Sequence, residues 1–418
     1  MEDNTVIEHY VSIAENNQNE NQATAKLREK AKQSLLLNGL PTKKDEEWQY
    51  TSLERWKTTF FNKNQLKSAQ GGLKLEGYLP KFDTFKVVLV DGVFNKDLSD
   101  DLAGLPKGCQ FEIEENNPLL PESDDTFQAL FALSSVQTLK IDIQAKAMLE
   151  KPLLIVQVFT KHMMESTGIE INVAEAAQCK VIQQLISINE QAVFNNGYAQ
   201  VKVAKNAICE QFVVQSLNSD SFYFNNQAIE QASNSVFKTH YINLGSALAR
   251  HKNIVNFNGE HCEAYQSSVV LGSGKQVADS RTVTNHNVPN CESYQLHKFV
   301  LDDESRGVFN GMIYVAPDAQ KTNGNMDNKN LLLSNNARMN TKPQLEIYAD
   351  DVLCSHGCTS GQINADQLFY CQARGISKVD AMALITKAFV LEPLDSIENP
   401  LIKTWLADLI TNKLAKAV

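Results

Sequence analysis

Two short segments of this chain recur at nearly one spacing. Val173-Ala-Glu-Ala-Ala-Gln-Cys179 returns thirty positions on as Val203-Ala-Lys-Asn-Ala-Ile-Cys209, and Cys262-Glu-Ala-Tyr-Gln266 returns twenty-nine positions on as Cys291-Glu-Ser-Tyr-Gln295. A period of roughly 20–50 residues marks a stacked architecture, in which each unit buries its face against the next. Between about Lys151 and Tyr348 the runs are short and β-rich, as in Ile169–Val173, Val181–Ile188 and Ala199–Val203, with Asn, Gly and Ser turns between them. Asn258-Gly259 and Asn310-Gly311 are two of those turns. With strands in each unit, the pattern predicts a mainly β fold with a parallel β-helix core. A β-sandwich with fortuitous internal similarity is the alternative.

The flanks read differently. Residues 1–80 are expected to form an N-terminal helical region and 81–150 a mixed connecting segment. The core is placed at 151–360 and a C-terminal helical domain at 361–418. The polar stretch Asn16–Gln22 is expected to be a loop. After it Leu27, Ala31, Ser34 and Leu35 repeat at helical spacing until Asn38-Gly39 and Pro41 stop the helix. Trp48 and Tyr50, set among charges, read as an aromatic pair anchoring a small cap. Lys86–Gly92 reads as a short buried strand ending in a turn.

Past Gly361 three helices are expected. Asp366–Arg374 is closed by Gly375. Ser377 caps a second helix whose apolar face is Val379, Met382, Ile385 and Phe389. Asn399-Pro400 opens a last one carrying Leu401, Trp405, Leu406, Leu409 and Leu414. Packing on the β body accounts for this tail, and docking of a partner on Leu401, Trp405, Leu406 and Leu409 is the functional alternative.

The charge balance narrows the partners. A net charge of −10 disfavours nucleic acid and anionic membrane, both of which reward basic surfaces. The start Met1-Glu-Asp-Asn-Thr lacks a leader's basic and apolar segments, and no run nears the ~18 apolar residues of a bilayer span. The expected location is therefore cytoplasmic, with the eight cysteines present as thiols. Gly272-Ser-Gly-Lys-Gln276 lacks the spacing of a phosphate-binding loop, and dinucleotide, serine-hydrolase and zinc-protease signatures are absent. His286 and His297 read as turn or face histidines, and Asp350 and Asp351 as solvated turn carboxylates.

One place concentrates reactive groups. Cys354, His356 and Cys358 alternate in Leu353–Cys358, so a strand here would project all three from one face, together with Val352. Thiolates and imidazole suit zinc, copper(I) or iron–sulfur chemistry. Three groups do not close a tetrahedral site, so a fourth would come from substrate, water or another chain.

The segment from Ser280 to Ile376 strongly resembles the SufB/SufD family, the scaffold subunits of the Suf iron–sulfur cluster assembly machinery. Leu331-Leu-Leu-Ser334, Pro343-Gln-Leu-Glu-Ile347, Ala349-Asp-Asp-Val352, Cys354-Ser-His-Gly357, Leu368-Phe-Tyr370 and Arg374-Gly-Ile376 carry the resemblance. Pro41-Thr-Lys-Lys-Asp-Glu-Glu-Trp-Gln-Tyr-Thr51 resembles the family's N-terminal signature, and the compact length with Cys-Ser-His-Gly looks like the SufD branch.

The resemblance implies a right-handed parallel β-helix between helical regions, and a non-catalytic scaffold that assembles with a SufB-like subunit and a SufC-like ATPase docking on the C-terminal helices. It also implies a transient iron–sulfur cluster or iron at the SufB–SufD interface. There ATP-driven SufC dimerisation would expose His356, as ligand or proton handler, and Cys354, as thiolate ligand. Cys358 stands where the family usually has alanine, and Cys371 where leucine is usual. A flavin in the complex and a homodimer of the isolated subunit are left open. The competing classes are a β-helix carbohydrate-active enzyme and a purely structural partner-binding solenoid.

Overall fold

The recurring segments lie directly on one another. In the computed structural model Val203 pairs with Val173 and Cys209 with Cys179, while Glu292 and Gln295 pair with Glu263 and Gln266, all in parallel register. The structure describes residues 3–14, 22–62, 72–115, 119, 121 and 125–415, so the expected loop at 16–22 falls outside it except for Gln22, which is the first residue of a helix. Two ten-stranded sheets form the body. The first starts at the hairpin of Phe85–Val90 with Val93–Phe94 and ends at Leu353–Gly361. The second runs from Cys109–Glu115 to Arg338–Ile347. Beyond the antiparallel pairs at their N-terminal ends, the strands are parallel and the chain winds between the sheets as a solenoid of about eight turns. Strands of the 81–150 segment, Phe85–Val90 and Gln137–Ile143, already belong to the sheets.

One corner recurs in the backbone. Lys146, Ala176, Asn206, Asn234, His261, Asn290 and Lys321 all have positive φ, between 58° and 63°. A left-handed residue is uncommon outside glycine, so its return once per coil shows that the same turn is rebuilt each time. Inside that corner Ile171, Val201, Ile229 and Val255 stack as paired neighbours, all fully buried. Each buried aliphatic side chain contributes about 1.5–3 kcal/mol. The five cysteines Cys109, Cys179, Cys209, Cys262 and Cys291 are buried in the same cluster.

Helices cover the outer face of each sheet. On the second sheet lie α1 (Asp3–Ala14), α2 (Gln22–Asn38), the single turn α3 (Glu54–Lys57) and α4 (Thr126–Ser134). The stop at Gly39 appears as expected, with φ +71° and its N–H bonded to the Leu35 carbonyl at 3.0 Å. Arg28 closes the other end of this layer, donating to the α4 carbonyls of Ala132 and Leu133 and to that of Ser135. Of the aromatic pair, Trp48 is buried and Tyr50 is exposed. The Arg250 guanidinium sits 3.9 Å from the Trp48 ring centroid.

Below Trp48 is a buried ion network. Asp279 accepts from Thr51 Oγ1 at 2.6 Å, Arg250 at 2.5 Å and Arg281 at 3.0 Å. Both arginines also donate to the Glu47 carbonyl. Burial pushes the Asp279 carboxyl up, yet Arg250 and Arg281 outweigh it and hold the group below its ordinary range. This network ties the Pro41–Thr51 segment to the solenoid across more than two hundred residues.

α5 (Ala365–Gln372) packs on α6 (Lys378–Leu391), which lies with α7 (Pro400–Leu414) on the first sheet. Ser377 and Asn399 cap α6 and α7 as expected. The buried line of α6, however, is Ala381, Thr386 and Val390. The expected face of Val379, Met382, Ile385 and Phe389 is exposed or half-buried. Lys298, buried in the sheet, donates to Glu392 and to the Phe389 carbonyl at 2.7 Å, pinning the turn after α6. His286 and His297 are not on turns or outer faces. Both point into the solenoid, bonded to Ser293 at 2.9 Å and Ser268 at 2.8 Å, and burial lowers each to about 3. No helix among the described residues is long and apolar enough to cross a membrane.

Two outcomes test this packing. Asp279→Ala strands two buried guanidinium groups and should cost about 3–5 kcal/mol in denaturant unfolding; a loss below about 1 kcal/mol would contradict the role given to the network. Glu165, fully buried beside Thr167 and Asn195, is raised by burial from 4.5 to about 7. The unfolded chain sheds that proton near 4.5 and the folded chain only near 7, so stability should fall as pH rises between these values, by up to about 3 kcal/mol, and then level off. In Glu165→Gln this slope should flatten; an unchanged slope would assign it to other groups.

Candidate functional site

A solenoid buries each coil's inward side chains against the next coil, so its last coil has nothing beyond it. Here the last strands are Arg338–Ile347 and Leu353–Gly361, each paired on one side only. Cys354, His356 and Cys358 all lie on the second of these. Their register partners are Gly324, Met326 and Asn328. Met326 is fully buried in the interior, and paired residues of parallel strands share a face. The three groups therefore stand on the inward face of the terminal coil, which the solenoid's end leaves open.

Each has a distinct environment. Cys354 is half-buried and packs, with Val352, on the apolar cluster around Phe309 and Met326; burial raises its thiol. His356 is exposed, and neither ring nitrogen bonds to a described residue. Cys358 is exposed and meets Thr341 Oγ1 at 3.2 Å on the neighbouring terminal strand. Thr341 and Ser360, also on these strands, were not singled out by the sequence reading, because a lone hydroxyl in a β run gives no signal.

Sharing a face does not bring the groups together. Neighbours two residues apart on a strand are separated by about 6.6 Å, and Cys354 lies about 13 Å from Cys358 along the strand. One ion cannot span that distance, and among the described residues no group of three or more His, Cys, Asp or Glu is arranged to hold a metal. Asp351 pairs with Lys321 at the preceding turn, and Asp350 is exposed there. Any site at this end needs groups from elsewhere.

The helical tail was the other candidate. Leu406 is fully buried against the first sheet, and Trp405 and Leu409 pack half-buried beside it. Of the four α7 residues only Leu401 is exposed, at 58%. Open apolar surface lies instead on α5 and α6, where Phe369 is 71%, Tyr370 58% and Val379 61% exposed. Cys371, half-buried, lines a groove of about 810 Å³ between these helices and the end of the first sheet.

The model of the SUF system FeS cluster assembly SufBD core domain matches residues 158–389. That stretch holds both terminal strands, His356, and helices α5 and most of α6. This chain belongs to the SufB/SufD family. It is 33% identical to the iron-sulfur cluster assembly protein SufD of Escherichia coli, over 91% of each chain. An iron-sulfur cluster assembly SufBD family protein of Synechocystis is 31% identical over 86% of this chain and 84% of its own. The chloroplastic protein ABCI7 of Arabidopsis thaliana is 25% identical over 90% and 82%. Within the family, this chain is most like SufD.

Thiol reactivity reads the terminal geometry directly. Under native conditions a maleimide should label Cys358 first and Cys354 and Cys371 more slowly, with the five core cysteines reacting only on unfolding. Peptide mass spectrometry over time checks the order, and early labelling of Cys262 or Cys291 would contradict the stacked core.

Proposed function

We propose that this chain is a SufD-like, non-catalytic scaffold subunit of a cytoplasmic iron–sulfur cluster assembly complex. A SufB-like subunit would meet it at the open end, and a SufC-like ATPase on α5 and α6. Family membership supports the assembly role. The observation that supports the site reading is the position of His356 on the terminal coil, whose outer edge is free, inside the family-matched region.

Two free strand edges, side by side, invite a partner to continue both sheets through backbone hydrogen bonds. A partner that did so would cover His356, Cys354 and Cys358 and bring its own ligands against them. Iron or a nascent cluster is then cargo held between two chains, which fits a strip too extended to bind an ion alone. His356 would supply an imidazole and Cys354 a thiol whose burial keeps it protonated until a metal displaces the proton. An ion held between Cys354 and His356 would lie about 10 Å from Cys358 along the strand, so Cys358 takes a lesser part. In the absence of the SufB-like subunit, the same edges would accept a second copy of this chain.

The exposed Phe369, Tyr370 and Val379 surface supports α5 and α6, not α7, as the ATPase's footing. Lys298 and Lys329 bind Glu392 at the end of α6, so movement of these helices would pull on strands one and two coils from His356. The carbohydrate-enzyme alternative is not favoured, since the family match and the SufD relatives support the assembly role.

In the complex co-expressed with SufB-like and SufC-like subunits, His356→Ala should leave stoichiometry intact while bound iron and labile sulfide fall on the order of tenfold. Full cluster content in that variant would remove His356 from the site. Loss of the complex itself would reassign it to assembly.

A further inference from the structure

The middle of the solenoid is polar where a β-helix would ordinarily be apolar. On the first sheet Gln211, Thr239, Gln266 and Gln295 stack as inward neighbours in successive strands. On the second, Gln227, Asn253 and Thr282 do the same. At the two ends of this strip the sheets close on each other. Gln211 and Gln227 exchange amide hydrogen bonds at 2.5 and 3.2 Å, and Thr282 donates to Gln295 at 2.7 Å.

Between those closures the pairing is incomplete, with Gln266 Nε2 donating to Thr284 Oγ1 at 2.9 Å but its oxygen left over. Thr239 Oγ1, Tyr241 Oη and Gln266 Oε1 have no hydrogen-bond partner in the protein, and Asn253 Oδ1 and His251 Nε2 beside them lack a well-aligned one, although these two side chains lie within reach of each other. The Tyr241 and His251 rings stack at 4.0 Å, each two residues along from Thr239 and Asn253 on the same strands. All five residues are at least 96% buried. Buried polar atoms left unpaired are rare and costly, and such a concentration in one strip calls for a ligand.

Its chemistry follows from the donors and acceptors. The amide oxygens only accept, the hydroxyls donate and accept, and His251 Nε2 carries the ring hydrogen because Nδ1 faces the Asn225 amide at 3.4 Å, so the ligand must both donate and accept. A cation would lie without a counter-charge, because Asp279 and Glu210, the nearby carboxylates, are on outward strand positions paired with arginine and with lysine. Water donates two hydrogen bonds, accepts two, and needs only two to four polar partners. We propose that the central coils enclose a sealed cluster of ordered water molecules held by Thr239, Tyr241, His251, Asn253 and Gln266.

The strip is bounded by apolar clusters. Ile229, Val255 and Phe257 lie on one side, and Phe299, Phe309 and Met326 on the side toward the terminal coil, all fully buried. Met326 stands between Gln295 and His356 in the same column, so the waters do not reach the open end. They fill a closed layer of the scaffold.

Two measurements on the full chain decide the matter. A high-resolution crystal structure should show waters within hydrogen-bond distance of Asn253 Oδ1 and Gln266 Oε1. Oxygen-17 magnetic relaxation dispersion should detect long-lived waters in solution, with the amplitude lower in Gln266→Met and unchanged in the surface control Gln33→Met. A dry strip in which turned amides pair with one another, or a wild-type protein with no dispersion, would overturn the proposal. Should Gln266→Met fail to fold, the wild-type crystal and dispersion results still decide it.

Discussion

Each coil of this solenoid buries its inward side chains only against the coils before and after it. Everything else follows from that one-dimensional stacking. Residues in register must share size and character, which is why Val173 and Val203, or Gln266 and Gln295, recur. The interior needs no contact between distant parts of the chain, so it accommodates an aliphatic corner, a polar middle and an aromatic and methionine plug in sequence. Stacking also leaves an end. The terminal coil presents inward-facing groups with no coil to cover them, and His356 stands there.

The same constraint explains the helices. A two-sheet solenoid whose outward residues include Phe194, Phe224, Val156 and Ile182 has two apolar outer faces to cover. The N-terminal layer is held by aromatic packing and by Asp279 between two arginines, and the C-terminal layer by aliphatic packing and the lysine pair on Glu392. With these layers in place, the terminal strand edges and the outer surface of α5 and α6 remain open among the described residues.

Much of this was legible in the chain. The two repeats predicted stacking in parallel register, and Gly39, Ser377 and Asn399 marked helix ends through local backbone chemistry. Other features were not legible, for physical reasons. Thr51 and Asp279 meet across 228 positions, and no local pattern encodes such a contact. His286 and His297 were misplaced because alternation separates two strand faces without saying which is inward, and here both faces are buried. The α6 stripe was misread because Ala381 and Thr386 face the sheet while larger residues face out. For Cys354, His356 and Cys358 the shared face was legible, but their spread of about 13 Å along an open edge was apparent only once the strand was seen to be the last.

The central claim is that the terminal coil is a joint and not merely an end. Backbone amide hydrogen exchange on this chain, alone and with the SufB-like subunit added, measures it most directly. New protection should be concentrated in Arg338–Ile347 and Leu353–Gly361, whose outer edges the partner would pair, with the helix-covered faces unchanged. Protection confined to the helical layers, with both terminal strands exchanging as freely as before, would contradict it.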